Sequence, residues 1–534
     1  MGAKSRGVKL LNTYAPRVTM VSPMMPPRAA LLCAALLCAP RAVALGQASP
    51  YLYLHHPAYA EIDLLVERGV LRGLSPVVRP YRRGDIARAV LSADTSRASA
   101  AERGWLARLR RELRPELDAL QQGASGERTR VAAEAVVNVT GRTHAHRDVL
   151  RPDHPGRTDV AGEFDLRAAF PGVAVESHLR ADSYYWHDPQ VPARVTSNTF
   201  RERAEDAYLE LQGRHARFLV GRLYRNWASA RVPGTLLSDY AYSFDQAALW
   251  AGTAKLNLSL IAARLDDYPG DVRRYLALHR LDWQPTPDLA LYVAEGVLYA
   301  GPGRDFELEF LNPLSFWFHE NTNQAGYRGV TNNNSQLALG FWWRPRPSLI
   351  AYGDFMLDDI RLNSGAPNGL RYAFYAGLVF PRLARSAVGR VGYAQVSSLA
   401  YRTFADFERY SFRELGLGWD IADAELYTAE ADFFPTAALR AGPRVALLRR
   451  GEGDFRQPFP ANFDSLPRVL TGIVETTLRV AVAGGLRLGP VLSLDWDAGP
   501  NFVANRGHVQ GRSLTQFVGR LSVRAALGRA GSPE

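Results

Sequence analysis

The chain has almost no cysteine, almost no lysine and no long apolar run. Its two cysteines, Cys33 and Cys38, both fall inside the hydrophobic segment Ala29–Ala39. Arg28 precedes that segment, and Pro40 and the small-x-small triplet Ala42–Ala44 follow it, the layout of an export signal cleaved before Leu45. Residues 1–44 are therefore read as a signal peptide, and Met20, Met24 and Met25 place the true initiator downstream of Met1. Eleven apolar residues are too few to span a bilayer, which takes about 20, and no later stretch comes near that length. A chain beginning at Leu45 has no cysteine, which excludes thiolate metal sites, cysteine catalysis and disulfides. It has one lysine, Lys255. Six of the 64 basic residues and none of the 53 acids precede Leu45, so the formal charge falls from +11 to about +5. That balance gives no basis for nucleic-acid binding.

What is present divides into two regions with different periods. Residues 45–125 carry helical spacing, with Ile62, Leu65, Val66, Gly69 and Val70 on one face and Pro57 and Gly73 near the ends. Two further helices are expected, in "RRGDIARAVLSA" and in "SAAERGWLARLRRELRPELDAL". The last carries a stripe of Trp105, Leu109, Leu113, Leu117 and Leu120. From about residue 126 onward the period is two. "VAGEFDLRAAF" sets Val160, Phe164, Leu166 and Phe170 against Glu163, Asp165 and Arg167, and "GVAVESHLRADSYYW" sets Val173, Val175 and Leu179 against Glu176, His178, Arg180 and Asp182. "AKLNLSLIAA", "LIAYGDFMLDDI" and "GLRLGPVLSLDWDAG" repeat the pattern.

Segments of about ten residues with one apolar and one ion-paired face, joined by turns such as "FPGV" and "APNG", are the mark of a transmembrane β-barrel. Aromatics toward segment ends, as in "FWW" (341–343) and "SYYW" (183–186), suit its interfacial girdles. A sheet in a bilayer must close, because each backbone amide has to be paired internally. A large antiparallel barrel is expected between Val131 and Gly528, with a last strand over Leu514–Leu527 and longer loops near 183–204, 224–244, 301–334 and 400–412. The fold class is an all-β transmembrane barrel over 126–534 with a small N-terminal helical region that faces the periplasm or plugs the pore.

Arg274–Asn321, Leu349–Ile360, and "VGRLYRNW" with the downstream "LLSDYAYSFD" (Val220–Asp245) resemble the capsule-assembly Wzi family of outer-membrane proteins. The resemblance is specific through about 220–360. It implies an eighteen-stranded barrel with periplasmic helices near its mouth, in the outer membrane of a diderm bacterium. It also implies a non-enzymatic role in binding, tethering or organising surface or capsular polysaccharide. The partners expected with it are that polysaccharide, outer-membrane lipid and the barrel-assembly machinery, for a monomer without cofactor or metal.

The stretch "ELEFLNPLSFWFHEN" (307–321) is the sharpest local feature. Asn312-Pro313 breaks the strand, since a residue before proline avoids helix. The expectation is that this loop folds into the lumen and that its carboxylates meet basic partners there. Arg222, His279, Arg280 and Arg304 are the obvious ones. The candidate lumen and glycan-binding set is Arg222, Trp227, Asp239, His279, Arg280, Glu295, Glu309, Asn312, Glu320, Asn321, Asp354 and Asp358. Trp317 and Tyr299 could supply further aromatic faces. Sugars are held by such amide, carboxylate and guanidinium hydrogen bonds together with aromatic rings. Mutual pairing that closes the pore is the blander role for the same charges.

Two other functions stand beside the tethering one: a sugar-type solute channel, and an enzyme using Glu307/Glu309 or Asp358/Asp359 as a glycosidase pair about 5–10 Å apart. The adjacent histidines of "LHHP" (54–57) diverge and have no third ligand at a useful spacing, and His144 and His146 lie at a loop edge. No metal site is expected at either. "GPGRD" (301–305) follows a strand without opening a helix, so it is no phosphate cradle.

Overall fold

The computed structural model describes residues 48–122, 129–152, 155–188, 201–229, 232–317, 333–360 and 370–531. Four helices come first: α1 (Tyr59–Glu67), α2 (Arg83–Leu91), α3 (Ala100–Glu112) and α4 (Arg114–Gln122). The α3 start is fixed by a capping box. Ser99 Oγ accepts from the Glu102 amide at 3.2 Å, and Glu102 accepts from the Ser99 amide at 2.6 Å. Ile62, Leu65, Trp105 and Leu109 are buried, as the helical spacing requires.

An 18-stranded antiparallel sheet follows, in which each strand pairs with its sequence neighbours. The first strand (Arg130–Arg142) also pairs with the last (Ser513–Gly531), from Val131 opposite Gly531 to Arg142 opposite Arg520. The sheet is closed and has no edge. A 13-residue strand runs about 43 Å and stands about 33 Å tall at a 40° tilt, enough to cross an apolar band about 25 Å high.

Alternation sorts the side chains as the period of two predicts. Val137, Phe164, Leu166, Leu179, Val220, Leu281, Val293, Leu339, Val480, Phe502 and Leu521 are exposed on the outer face. Glu163, Asp165, Arg167, Glu176, His178 and Asp182 are buried on the inner one. An apolar belt of this extent facing water would be a large liability, and facing lipid it is required. No described helix is long and apolar enough to cross a membrane; the strands cross it.

Short turns gather at one end of the barrel and long connections at the other. The helices close the short-turn end. Trp105 Nε1 donates to Ala437 O at 2.9 Å, Arg68 reaches Pro381 O at 2.8 Å, and Arg344 reaches the Val66 carbonyl, while Glu67 meets Arg390 of the wall at 2.9 Å. From the other end two connections fill the middle of the lumen and interlock: 223–244, of which 230–231 are not described, and 397–423. The Ser238 amide donates to Leu417 O at 2.8 Å, Ser238 Oγ to Gly418 O at 2.6 Å, Tyr401 OH to Thr235 O at 2.6 Å and Trp419 Nε1 to Pro233 O at 2.8 Å. The backbones approach so closely that a Cβ on Gly418 would lie 2.1 Å from Thr235 O.

Three expectations need amending. The last strand extends beyond Leu514–Leu527 to Ser513–Gly531. A further long connection, 451–474, was not anticipated. "SYYW" is no girdle: Tyr184–Trp186 form a 3-10 turn, with Tyr184 buried under the Arg142 guanidinium at 4.0 Å. An interfacial ring and a lumen ring look alike in sequence.

Candidate functional site

Arg280 is the inner wall's main clamp. It points into the lumen between Leu278 and Asp282 and is fully buried. Its head group bonds Asp282 at 2.7 Å, the Trp227 carbonyl at 3.1 Å and the Val77 carbonyl at 3.0 Å, and lies 3.7 Å above the Tyr292 ring. Wall, lumen loop and helical region are thus joined by one guanidinium, whose fixed fork of donors suits such a junction. Trp227 is buried beside it. Asp354 accepts from the Thr235 amide at 2.7 Å and from Tyr292 OH; Asp358 accepts from the Tyr401 amide at 2.9 Å and from Gln336 at 3.1 Å. These two carboxylates anchor the interlocked connections to the wall.

The 303–317 segment does not enter the lumen. His279 and Glu295 are cross-strand partners, and alternation puts them with Leu281 and Val293 on the outer face. His279 Nε2 lies 2.9 Å from Glu295 Oε2, which also accepts from the Trp317 amide at 3.0 Å. Trp317 stacks on His279 at 4.0 Å and Phe310 on Tyr299 at 4.6 Å. Tyr275, Ala277, Val297, Tyr299, Phe310 and Trp317 form a core separate from the main one. The segment is a flap laid over the outside of the wall. Its other face is apolar, with Leu308 68%, Leu314 90% and Phe316 51% exposed.

The physical reason is desolvation. An outward carboxylate half-way along a strand would meet hydrocarbon, so it is paired, hydrogen-bonded and roofed. Glu309 sits in the flap's 3-10 turn, and Asn312 closes a local turn, accepting from the Leu314 amide at 3.1 Å. Arg222, expected in the lumen, shares the outward face with Val220 and pairs with Asp245 at 2.8 Å. His279, Glu295, Glu309, Asn312 and Arg222 therefore do not line the lumen. Glu320, Asn321 and the Asp359 side chain lie outside the described residues. Of the suggested carboxylates, Glu307 is on the flap, bonded to Arg304 at 2.7 Å, and Asp358 anchors a loop.

The lumen does contain a cavity of about 720 Å³ on its other side. Its walls are the first four strands and the last three, with 53–60 below and Arg147, Tyr184, Tyr185 and Tyr240 toward the long-loop end. Arg180 bonds Asp182 at 2.9 Å and also meets Glu163, and Arg142 pairs with Asp159 at 3.1 Å. His55 lies 3.9 Å from Asp239, the one member of the candidate set on this cavity. Burial, with nearby Arg524 and Arg83, holds the His56 imidazole well below its ordinary range, so it is neutral at pH 7. Arg520 is exposed to the cavity and makes no ion pair among the described residues. No group of three or more metal-ligating side chains is found among the described residues.

Sequence reasoning missed this cavity. Its inward charges were identified strand by strand, but Tyr53, Tyr185, Tyr240 and Arg520 come from four distant segments, and nothing local brings them together.

No family model matches the chain, and no curated protein does either. Among solved structures, Wzi of Escherichia coli, an outer-membrane protein involved in group 1 capsule assembly and described as a carbohydrate-binding β-barrel, aligns with a TM-score of 0.60 at 13% identity. The alignment covers 90% of this chain and 99% of that one. OccK11 (OpdR) and OccD3 (OpdP) of Pseudomonas aeruginosa each cover 75% of this chain, 96% and 91% of their own, with TM-scores of 0.42 and 0.44 at 15% and 10% identity. Those two scores are too low to bear on function. This chain has the fold of the Wzi capsule-assembly outer-membrane barrel.

Proposed function

We propose that the protein is a non-enzymatic outer-membrane barrel that holds an exported surface polysaccharide at its long-loop end, with the helices at the periplasmic end. The observation that carries this reading is the 720 Å³ lumen cavity, bordered by Tyr185, Tyr224 and Tyr240 and by charges of both signs. Tyrosine faces pack on sugar rings while the hydroxyls and guanidinium forks bond their oxygens. The fold shared with a carbohydrate-binding barrel supports it. A solute channel is disfavoured by the interlocked connections that fill the middle of the lumen.

Arg520 is the donor least committed to the protein. Arg520→Gln with Tyr240→Ala is expected to weaken binding of the source strain's surface polysaccharide at least about tenfold, the loss of about 1.4 kcal/mol. Isothermal titration in detergent measures it. Equal affinity for wild type and variant would remove the cavity from the account.

A further inference from the structure

The short-turn end holds a second cavity, of about 540 Å³, between residues 72–92 and the inner wall of the 216–222, 245–252 and 256–264 strands. Six arginines and three carboxylates line it. The carboxylates are committed. Asp85 is shared by Arg82, at 2.9 Å, and Arg88; Asp282 is held by Arg280; Glu210 accepts from Tyr51 OH at 2.9 Å and from Gln212. Arg214, Arg217 and Arg225 have no carboxylate within ion-pair distance among the described residues. Arg217 lies 4.2 Å over the Trp250 ring and donates one long bond, 3.4 Å, to Tyr51 OH, while its Nε is buried with no partner. Arg225 bonds only the neutral Gln246 amide, at 2.8 Å. Arg225 lies within electrostatic reach of both the Arg217 guanidinium and the Glu210 carboxylate, so one carboxylate bonded only by neutral donors faces these three arginines.

Like charges held together beside low-dielectric walls, with a buried donor left over, are an unfavourable arrangement that an anion relieves. Planar forks favour a planar, two-oxygen anion. The walls also present Trp227 and Trp250, surfaces for a pyranose ring. We propose that this cavity is a second binding site, at the short-turn end, for a carboxylate-bearing sugar, with the carboxylate on Arg217 and Arg225 and the ring beside the tryptophans. Only the ligand class rests on the saccharide reading above; the excess positive charge does not.

D-glucuronate titrated into the detergent-solubilised full chain tests it, with glucose and inorganic phosphate as parallel arms. Glucuronate is expected to bind in the millimolar range, glucose at least tenfold more weakly, and Arg217→Gln with Arg225→Gln to lose at least tenfold for glucuronate. Should that pair not fold, wild type is expected to show glucuronate-dependent tryptophan quenching that Trp250→Phe reduces. Equal binding of glucose, binding of phosphate without glucuronate, or indifference to these substitutions would overturn the proposal. Absence of glucuronate binding by the wild type, with surface polysaccharide still bound, overturns this site and not the function proposed above.

Discussion

Arg390→Leu is expected to lower the unfolding free energy by about 3–5 kcal/mol, the range for leaving a buried charge without its partner. Arg390 meets Glu67 at 2.9 Å, Glu430 at 3.0 Å and Asp432 at 2.6 Å, and it, Glu67 and Asp432 are buried. Arg440 and Arg444 still serve Asp432, and Arg444 still serves Glu430. Glu67, projecting from α1 into the wall, would be stranded. The urea midpoint of the barrel refolded into vesicles measures the loss, and proteolysis of 59–122 shows whether the helices detach first. An unchanged midpoint and cleavage pattern would mean that this cluster does not fix the helices in the barrel.

A fluorophore on Leu314→Cys is expected to be quenched strongly by spin-labelled acyl chains and hardly at all by aqueous iodide. Produced from Leu45 onward, the protein has no other cysteine, so the label is unique. Leu314 is 90% exposed on a flap whose underside covers the His279–Glu295 pair. An apolar side chain there gains about 25 cal/mol for each Å² taken from water into lipid. Adding Trp317→Ala removes the ring stacked on His279 and should shift the label toward iodide. The reverse pattern in the parent, iodide quenching without lipid quenching, would return 303–317 to the aqueous mouth.

The barrel was legible in the sequence because lipid outside and paired charges inside impose a period of two on every strand. The helices were legible through the Trp105–Leu120 stripe and the Ser99-x-x-Glu102 pattern. Glu295 shows where this reasoning stops. Its register with Leu291 and Val293 is visible in the sequence and places it outward, yet a carboxylate facing lipid is so unfavourable that the lumen was the natural reading. The resolving fact is that residues eight to twenty-two positions later fold back as a roof. That is a tertiary contact, and neither periodicity nor composition encodes it. Asp354 and Asp358 face inward, as the period of two requires, but their role as loop anchors depends on amides of Thr235 and Tyr401, more than forty residues away. Tyr240 and Arg520 are separated still further along the chain.

The proposed role requires a barrel whose lumen is filled by its own loops, so that a saccharide is held rather than passed. Planar-bilayer conductance of the purified wild-type protein tests it most directly. An open barrel of this strand number leaves an aqueous channel. Insertion with no steady current is expected, because 223–244 and 397–423 lock across the lumen beside Arg280; a stable ohmic conductance that sugars reduce would instead mark a solute channel.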